Sequence, residues 1–183
     1  VIAAIAACFW FPLTSGLYFM SKFLQETHNY APLQISVLFI VAGTAAIFGN
    51  VIAGRLSDRY GRRPMLALAI STNCLAFWVF YNTSIGVLLP LAWILVLFSY
   101  FSAEVIISAV SGELFPTSCR STASMLRSIA GVVGAALGLL SESLLYELLG
   151  SHAAALSFIL LVALVALPII ALFLRETANR TLH

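Results

Sequence analysis

The sequence predicts an all-α membrane protein, a bundle of six transmembrane helices. Three observations lead there. Of the 183 residues, 62% are hydrophobic and only 9% charged, against about a quarter charged in a soluble domain, so the chain lacks the polar surface to face water. The apolar residues run in stretches of about 18 to 26, long enough to cross a hydrocarbon core about 30 Å thick. Short polar segments separate the stretches, and arginine is confined to alternate ones.

The first helix is expected over residues 1–20. Pro12 lies inside it with Thr14, Ser15 and Gly16 just after; proline removes a backbone hydrogen bond and kinks or opens a helix there. Ser21 to Pro32 is a polar loop. The second helix is expected over 33–54 and carries Gly43, Gly49 and Asn50. Gly54 to Pro64 follows, reading G-R-L-S-D-R-Y-G-R-R-P, the most charged run in the chain. It cannot sit in hydrocarbon and reads as a short turn between spans. Gly54 and Gly61 let the backbone turn tightly, and Pro64 suits the start of the next helix. The third helix is expected over 64–81. Asn82-Thr83-Ser84 opens the loop after it; its match to a glycosylation acceptor abuts the membrane and reads as chance. The fourth helix is expected over 87–111, with a polar turn from Gly112 to Arg120 in which Pro116 stops the helix. The fifth is expected over 121–146 and the sixth over 153–174, joined by Glu147 to His152. The tail is Arg175 to His183.

Successive loops alternate sides. One side then holds Arg55, Arg59, Arg62, Arg63, Arg120, Arg127, Arg175 and Arg180, which is all the arginine; the other holds Lys22 with His28 and His152. The positive-inside rule puts both ends in the cytoplasm, as an integral multi-pass protein of a cell membrane. Val1 already lies in an apolar stretch without a basic region ahead of it, so the sequence reads as a segment of something longer and not as a signal peptide. Cys8, Cys74 and Cys119 fit no metal or redox spacing. There is no H-E-x-x-H, G-x-S-x-G or phosphate loop, so neither an enzyme nor a cofactor or metal site is expected. The arginines are explained by the membrane side, which leaves no nucleic-acid role.

Glu104 is the most informative residue. It lies about nine residues inside the end of the fourth helix, roughly 13 Å deep, near the midplane. A carboxylate there is costly and marks a functional site by default. Tyr100, Glu104, Ser108 and Ser111 form one polar stripe by their spacing, expected to face a central cavity. Burial favours the neutral form of a carboxyl, which makes Glu104 a candidate for proton coupling or substrate binding; the plain alternative is a structural hydrogen bond to another helix. Trp10, Thr14 and Tyr18 share a face of the first helix and are candidates to line a solute path, or else packing anchors. In the fifth helix Ser124, Ser128, Gly131, Ala135, Gly138 and Glu142 share a face, with Gly134 beside it, suited to close helix approach. Glu142, near the outer end, reads as an outer gate or a solvated acid.

Gly54 to Arg63 resembles the signature loop of the major facilitator superfamily, G-x-L-x-D-R-x-G-R-R/K. Glu113 to Arg120 is similar to the E-x-F/Y-P-T-x-x-R turn after the tenth helix of its sugar porters and organic-ion transporters. Arg175 to Leu182 is similar to their P-E-T-K-G-R-T-L tail, with Arg175, Ala178 and Asn179 departing from it. The resemblance covers essentially the whole chain. It implies one half of a twelve-helix fold, helices seven to twelve, with an N-terminal six-helix half as the missing partner. It implies transport of a small solute (a sugar, organic acid or organic ion) by alternating access, with protons as a further partner; a non-transporting fragment or interaction subunit is the alternative. It implies a cytoplasmic gate network of Gly54, Asp58, Arg59, Gly61, Arg62, Arg63, Glu113, Pro116 and Arg120, in which Asp58 acts as a latch between helix ends and Glu113 and Arg120 join it. The sugar porters carry a G-P-x-P-W-like run where this chain has Ser102-Ala103-Glu104-Val105-Ile106, which argues against an ordinary hexose porter.

Overall fold

The helices are α1 (Ile2–His28), α2 (Pro32–Tyr60), α3 (Arg62–Asn82), α4 (Leu88–Leu114), α5 (Arg120–Leu149) and α6 (His152–Phe173). The computed structural model describes residues 1–174, 176 and 177. Of the tail motif, Glu176 and Thr177 are thus described, and positions 175 and 178–182 lie outside. All six helices are long and apolar enough to cross a membrane. Even α3, with 21 residues, reaches about 32 Å at 1.5 Å per residue.

The helices run further than hydropathy marks. α1 passes the expected end at Met20 and closes only at Asn29, which takes the left-handed conformation with φ 55°. α2 continues through the arginine-rich run to Tyr60, so Gly54 is a mid-helix residue and the whole turn is Gly61, with φ 106°. Likewise α4 ends at Leu114 and α5 starts at Arg120 and runs to Leu149. The reason is physical: hydropathy reports where hydrocarbon ends, whereas a helix satisfies its own backbone and can project into water. α1 also runs as one helix through Pro12, which is buried, in place of the expected break.

The packing has a simple symmetry. α1 packs on α5 and α6, and α4 packs on α2 and α3. Each run of three helices has therefore exchanged its first helix with the other run. Because two spans, α2 and α3, lie between α1 and α4, the two triplets point in opposite directions, the arrangement of inverted repeats. The exchanged contacts are close at matching places. A Cβ on Gly49 of α2 would meet the Phe98 carbonyl oxygen of α4 at 2.9 Å, and one on Gly134 of α5 would meet that of Ala7 in α1 at 2.3 Å. Between the triplets, α3 leans on α6.

The core is filled by large rings and branched aliphatics, among them Phe9, Phe77, Phe80 and Trp93, all under 2% exposed. Several of its polar groups bond across helices. Asn73 of α3 donates to the Val96 carbonyl of α4 at 2.9 Å and to Ser99 Oγ at 3.2 Å. The Tyr81 hydroxyl of α3 donates to the Gly16 carbonyl of α1 at 2.5 Å. α2 and α5 carry long rows of exposed Leu, Ile, Val and Phe, a surface suited to lipid or to a second apolar body.

Candidate functional site

Two charged clusters stand out, one inside the spans and one at the arginine-rich end. The first is built by α1, α4 and α5. Close contact of α5 with α1 lays Trp10 across Gly131, where a Cβ would lie 3.0 Å from the indole ring. Trp10 is thereby turned to α4, and its Nε1 donates to Glu104 Oε1. Arg127, one turn before Gly131, comes from the other side. Its Nη1 donates to Glu104 Oε2 at 3.2 Å, and the two side chains are 14% and 18% exposed. Arg127 was expected among the arginines that mark the membrane side. Instead it stands seven residues into α5, about 10 Å from its start, and serves as counter-ion. An isolated carboxylate among the spans would be costly; pairing with a guanidinium offsets that cost.

The other residues expected around Glu104 are less engaged. Tyr100 stacks on Phe9, with ring centroids 5.8 Å apart. Thr14 is half-buried and Ser108 is exposed; neither bonds to Glu104 among the described residues. Ser111, at the end of the stripe, is buried with no partner for its hydroxyl.

The second cluster is centred on Arg62, the first residue of α3. Its guanidinium reaches Glu113 of α4 through Nη2 at 2.8 Å and Nε at 3.2 Å, a fork-like contact. It also reaches Asp58 at 2.6 Å and Ser57 Oγ at 2.5 Å, both on the last turn of α2. Glu113 in turn accepts from the Thr177 hydroxyl at 2.5 Å. The Glu176 carboxylate accepts from the backbone N–H of Arg62 at 2.7 Å and of Arg63 at 3.1 Å. It thus occupies the positive end of α3, where unpaired N–H groups point outward. Gly61 makes room: a Cβ there would lie 2.7 Å from Glu176 Oε2. Arg63 adds a bond from Nη2 to the Ala171 carbonyl of α6. One cluster so ties α2, α3, α4 and the chain after α6.

Its membership differs from expectation. Asp58 is 64% exposed and contributes one arm of Arg62's bonding; the acid on the amides of a neighbouring helix is Glu176. Arg59 lies over the Tyr60 ring at 5.5 Å and forms no ion pair among the described residues. Arg120 does not reach Glu113, and its Nε is buried without a partner. Pro116 follows the end of α4, and its carbonyl closes a turn with the Cys119 N–H at 3.0 Å. Gly54 contacts nothing through its missing Cβ.

A third group lies at the opposite end. Glu142 is 1% exposed, and its Oε1 is 2.5 Å from His152 Nδ1. The imidazole is stacked between Phe19 and Tyr146, and its Nε2 is 3.3 Å from Lys22 Nζ. Glu142 is therefore no solvated acid. The helix face that put it with Gly131 and Gly138 already carried that signal, because that face packs on α1. Arg127 carried the same signal, lying four residues before Gly131. Glu176 and Thr177 belong to the tail motif, but nothing local showed their contacts, since their partners are more than 60 residues away in sequence.

Among solved structures, the chain is similar to the inward-open conformation of the xylose transporter XylE from E. coli, with a TM-score of 0.75 and 16% identity. That match covers 96% of this chain and 47% of XylE. It is also similar to the proton:xylose symporter XylE bound to 6-bromo-6-deoxy-D-glucose, with a TM-score of 0.74 and 17% identity, over 100% of this chain and 41% of the other. The chain thus spans less than half of these structures. At such identities the likeness shows the fold alone. Among curated protein sequences none matches. A sequence profile of the Major Facilitator Superfamily matches residues 2–182.

Proposed function

The chain belongs to the major facilitator superfamily, and we propose that it is the C-terminal six-helix half of a transporter that moves a small solute by alternating access. The other six helices supply the second wall of the cavity, against the apolar faces of α2 and α5. The arginine-rich end faces the cytoplasm, as the positive-inside rule requires.

The observation that carries the reading is the Trp10–Glu104–Arg127 cluster. A membrane protein that needed only to pack would gain little from a charge pair among its spans, since a hydrophobic pair of the same volume is often as stable or more so. The pair earns its place if its partners change during the cycle. Glu104 is then the group that exchanges a proton or meets the solute. Tyr100, Ser108, Trp10 and Thr14 border the path.

The Arg62 cluster is the cytoplasmic latch. Its bonds join the ends of α2, α3 and α4 to the tail, and these ends must part for the inner side to open. Sugars, organic acids and organic ions all remain within the solute class. The test is uptake into liposomes by the full-length protein. Glu104→Gln should abolish proton-driven accumulation and spare solute exchange; unchanged uphill uptake overturns the assignment of Glu104.

A further inference from the structure

Arg127 uses little of its bonding capacity. A guanidinium has five N–H donors, and Glu104 takes one of them, on Nη1. Nε is buried and has no acceptor, and Nη2 makes no hydrogen bond among the described residues. The Nε–Nη2 edge is one that a carboxylate fits with two parallel bonds. Glu104 leaves that edge without an acceptor. A buried donor without an acceptor is costly and rare.

Ser111 supplies a second orphan in the lining of a groove shared with Arg127. It is 1% exposed, and its hydroxyl has no partner. Ser111 and Arg127 line one groove of about 530 Å³ between the ends of α1, α4, α5 and α6, whose other walls include Leu114, Phe115 and Leu126. Mostly apolar walls with a few polar groups are the make-up of a small-molecule site. The size suits a small organic molecule.

Charge decides what comes with the solute. Glu104 and Arg127 neutralise each other. A carboxylate added to Arg127 would leave one net negative charge among the spans, which is costly. One proton taken from water onto Glu104 restores neutrality and frees the guanidinium. Arg127 of α5 and Tyr100 of α4 are the charged and titratable groups that face Glu104; α1 brings the indole N–H of Trp10.

We propose that Arg127 and Ser111 anchor a solute with a carboxylate on an apolar body, and that it takes the guanidinium as Glu104 takes a proton. The proposal rests on the reading of the chain as part of a solute transporter and narrows its substrate class to organic acids carried with a proton.

The experiment compares benzoate, benzyl alcohol and benzylamine, which share a ring and differ in the head group, on the purified full-length protein. Labelled benzoate should bind saturably, and neither the alcohol nor the amine should displace it at equal concentration. In weak buffer, binding should take up one proton per benzoate. Arg127→Gln should weaken benzoate binding at least tenfold. Arg127→Lys, which keeps the charge and loses the fork, should also weaken it and serves if the glutamine variant does not fold. Glu104→Gln should still bind benzoate but take up no proton. Preference for the amine or alcohol, undiminished benzoate binding in folded Arg127 variants, or no binding of any of the three overturns the proposal. A protein that takes up labelled sugars or amines while ignoring benzoate remains a transporter. One that takes up nothing from a mixed panel of sugars, acids and amines removes the broader reading as well.

Discussion

Gly138→Ala adds one methyl group at the closest approach of α5 to α1. The new Cβ would lie 1.8 Å from the Phe11 carbonyl oxygen and 2.7 Å from its carbon. An ordinary C···O contact begins at about 3.3 Å, so the helices would have to part by roughly 1.5 Å. Both groups belong to backbone, and no side chain can rotate away. Overfilled contacts cost about 1–3 kcal/mol, and a backbone clash belongs at the upper end, about 3 kcal/mol. Helix association in a bilayer depends on such close packing. The separation would also lift Trp10 from Gly131 and draw Arg127 from Glu104, so transport should fall with stability. The assay is denaturant-induced unfolding of the purified full-length protein in mild detergent. Gly43→Ala is the control, because its Cβ meets nothing within 4 Å and alanine favours the helix by about 0.5–1 kcal/mol. If Gly138→Ala proves no less stable than Gly43→Ala, α1 and α5 do not pack as described.

At the Arg62 cluster, Glu113→Gln should destabilise by about 1–3 kcal/mol, because it leaves the mostly buried Arg62 short of its main partner. Asp58→Asn should cost less than about 1 kcal/mol, since Asp58 is largely exposed; thermal unfolding of the two variants checks the order. Glu113→Gln should also raise labelling of a cysteine placed at the arginine-rich end of α2, and unchanged labelling speaks against the proposed latch. At the other end, Glu142→Gln and His152→Gln should each destabilise, and the double variant should cost about 0.5–3 kcal/mol less than the sum, as expected for partners in contact. Additive losses in that cycle would mean the two do not interact.

How legible each feature was depended on how local its cause is. Six spans follow from composition alone, because every helix must present apolar side chains along some 30 Å. Helix ends are not legible where polar turns of α1 and α2 project beyond the apolar stretch. Gly61 could be read as a turn residue, but Gly54 could not be told from it, since only the fold shows which glycine takes φ 106°. Glu104 was conspicuous as an acid deep in an apolar run. Its partner Arg127 was hidden among arginines that satisfied the positive-inside rule, although its helix face is that of Gly131. The acid that sits on the α3 amides, Glu176, depends on how the chain after α6 returns beneath α3, a contact without any local pattern.

The central claim is that the Glu104–Arg127 pair is part of the transport cycle and not a structural staple. An exchange of the two charges, Glu104→Arg with Arg127→Glu, tests it most directly. The swap keeps an ion pair between α4 and α5 but moves the guanidinium away from the groove and from its place in α5. Expression and thermal stability of the full-length protein should recover relative to either single reversal, while proton-driven solute uptake in liposomes should stay lost. Recovery of uptake together with stability would contradict the claim and make the pair a staple.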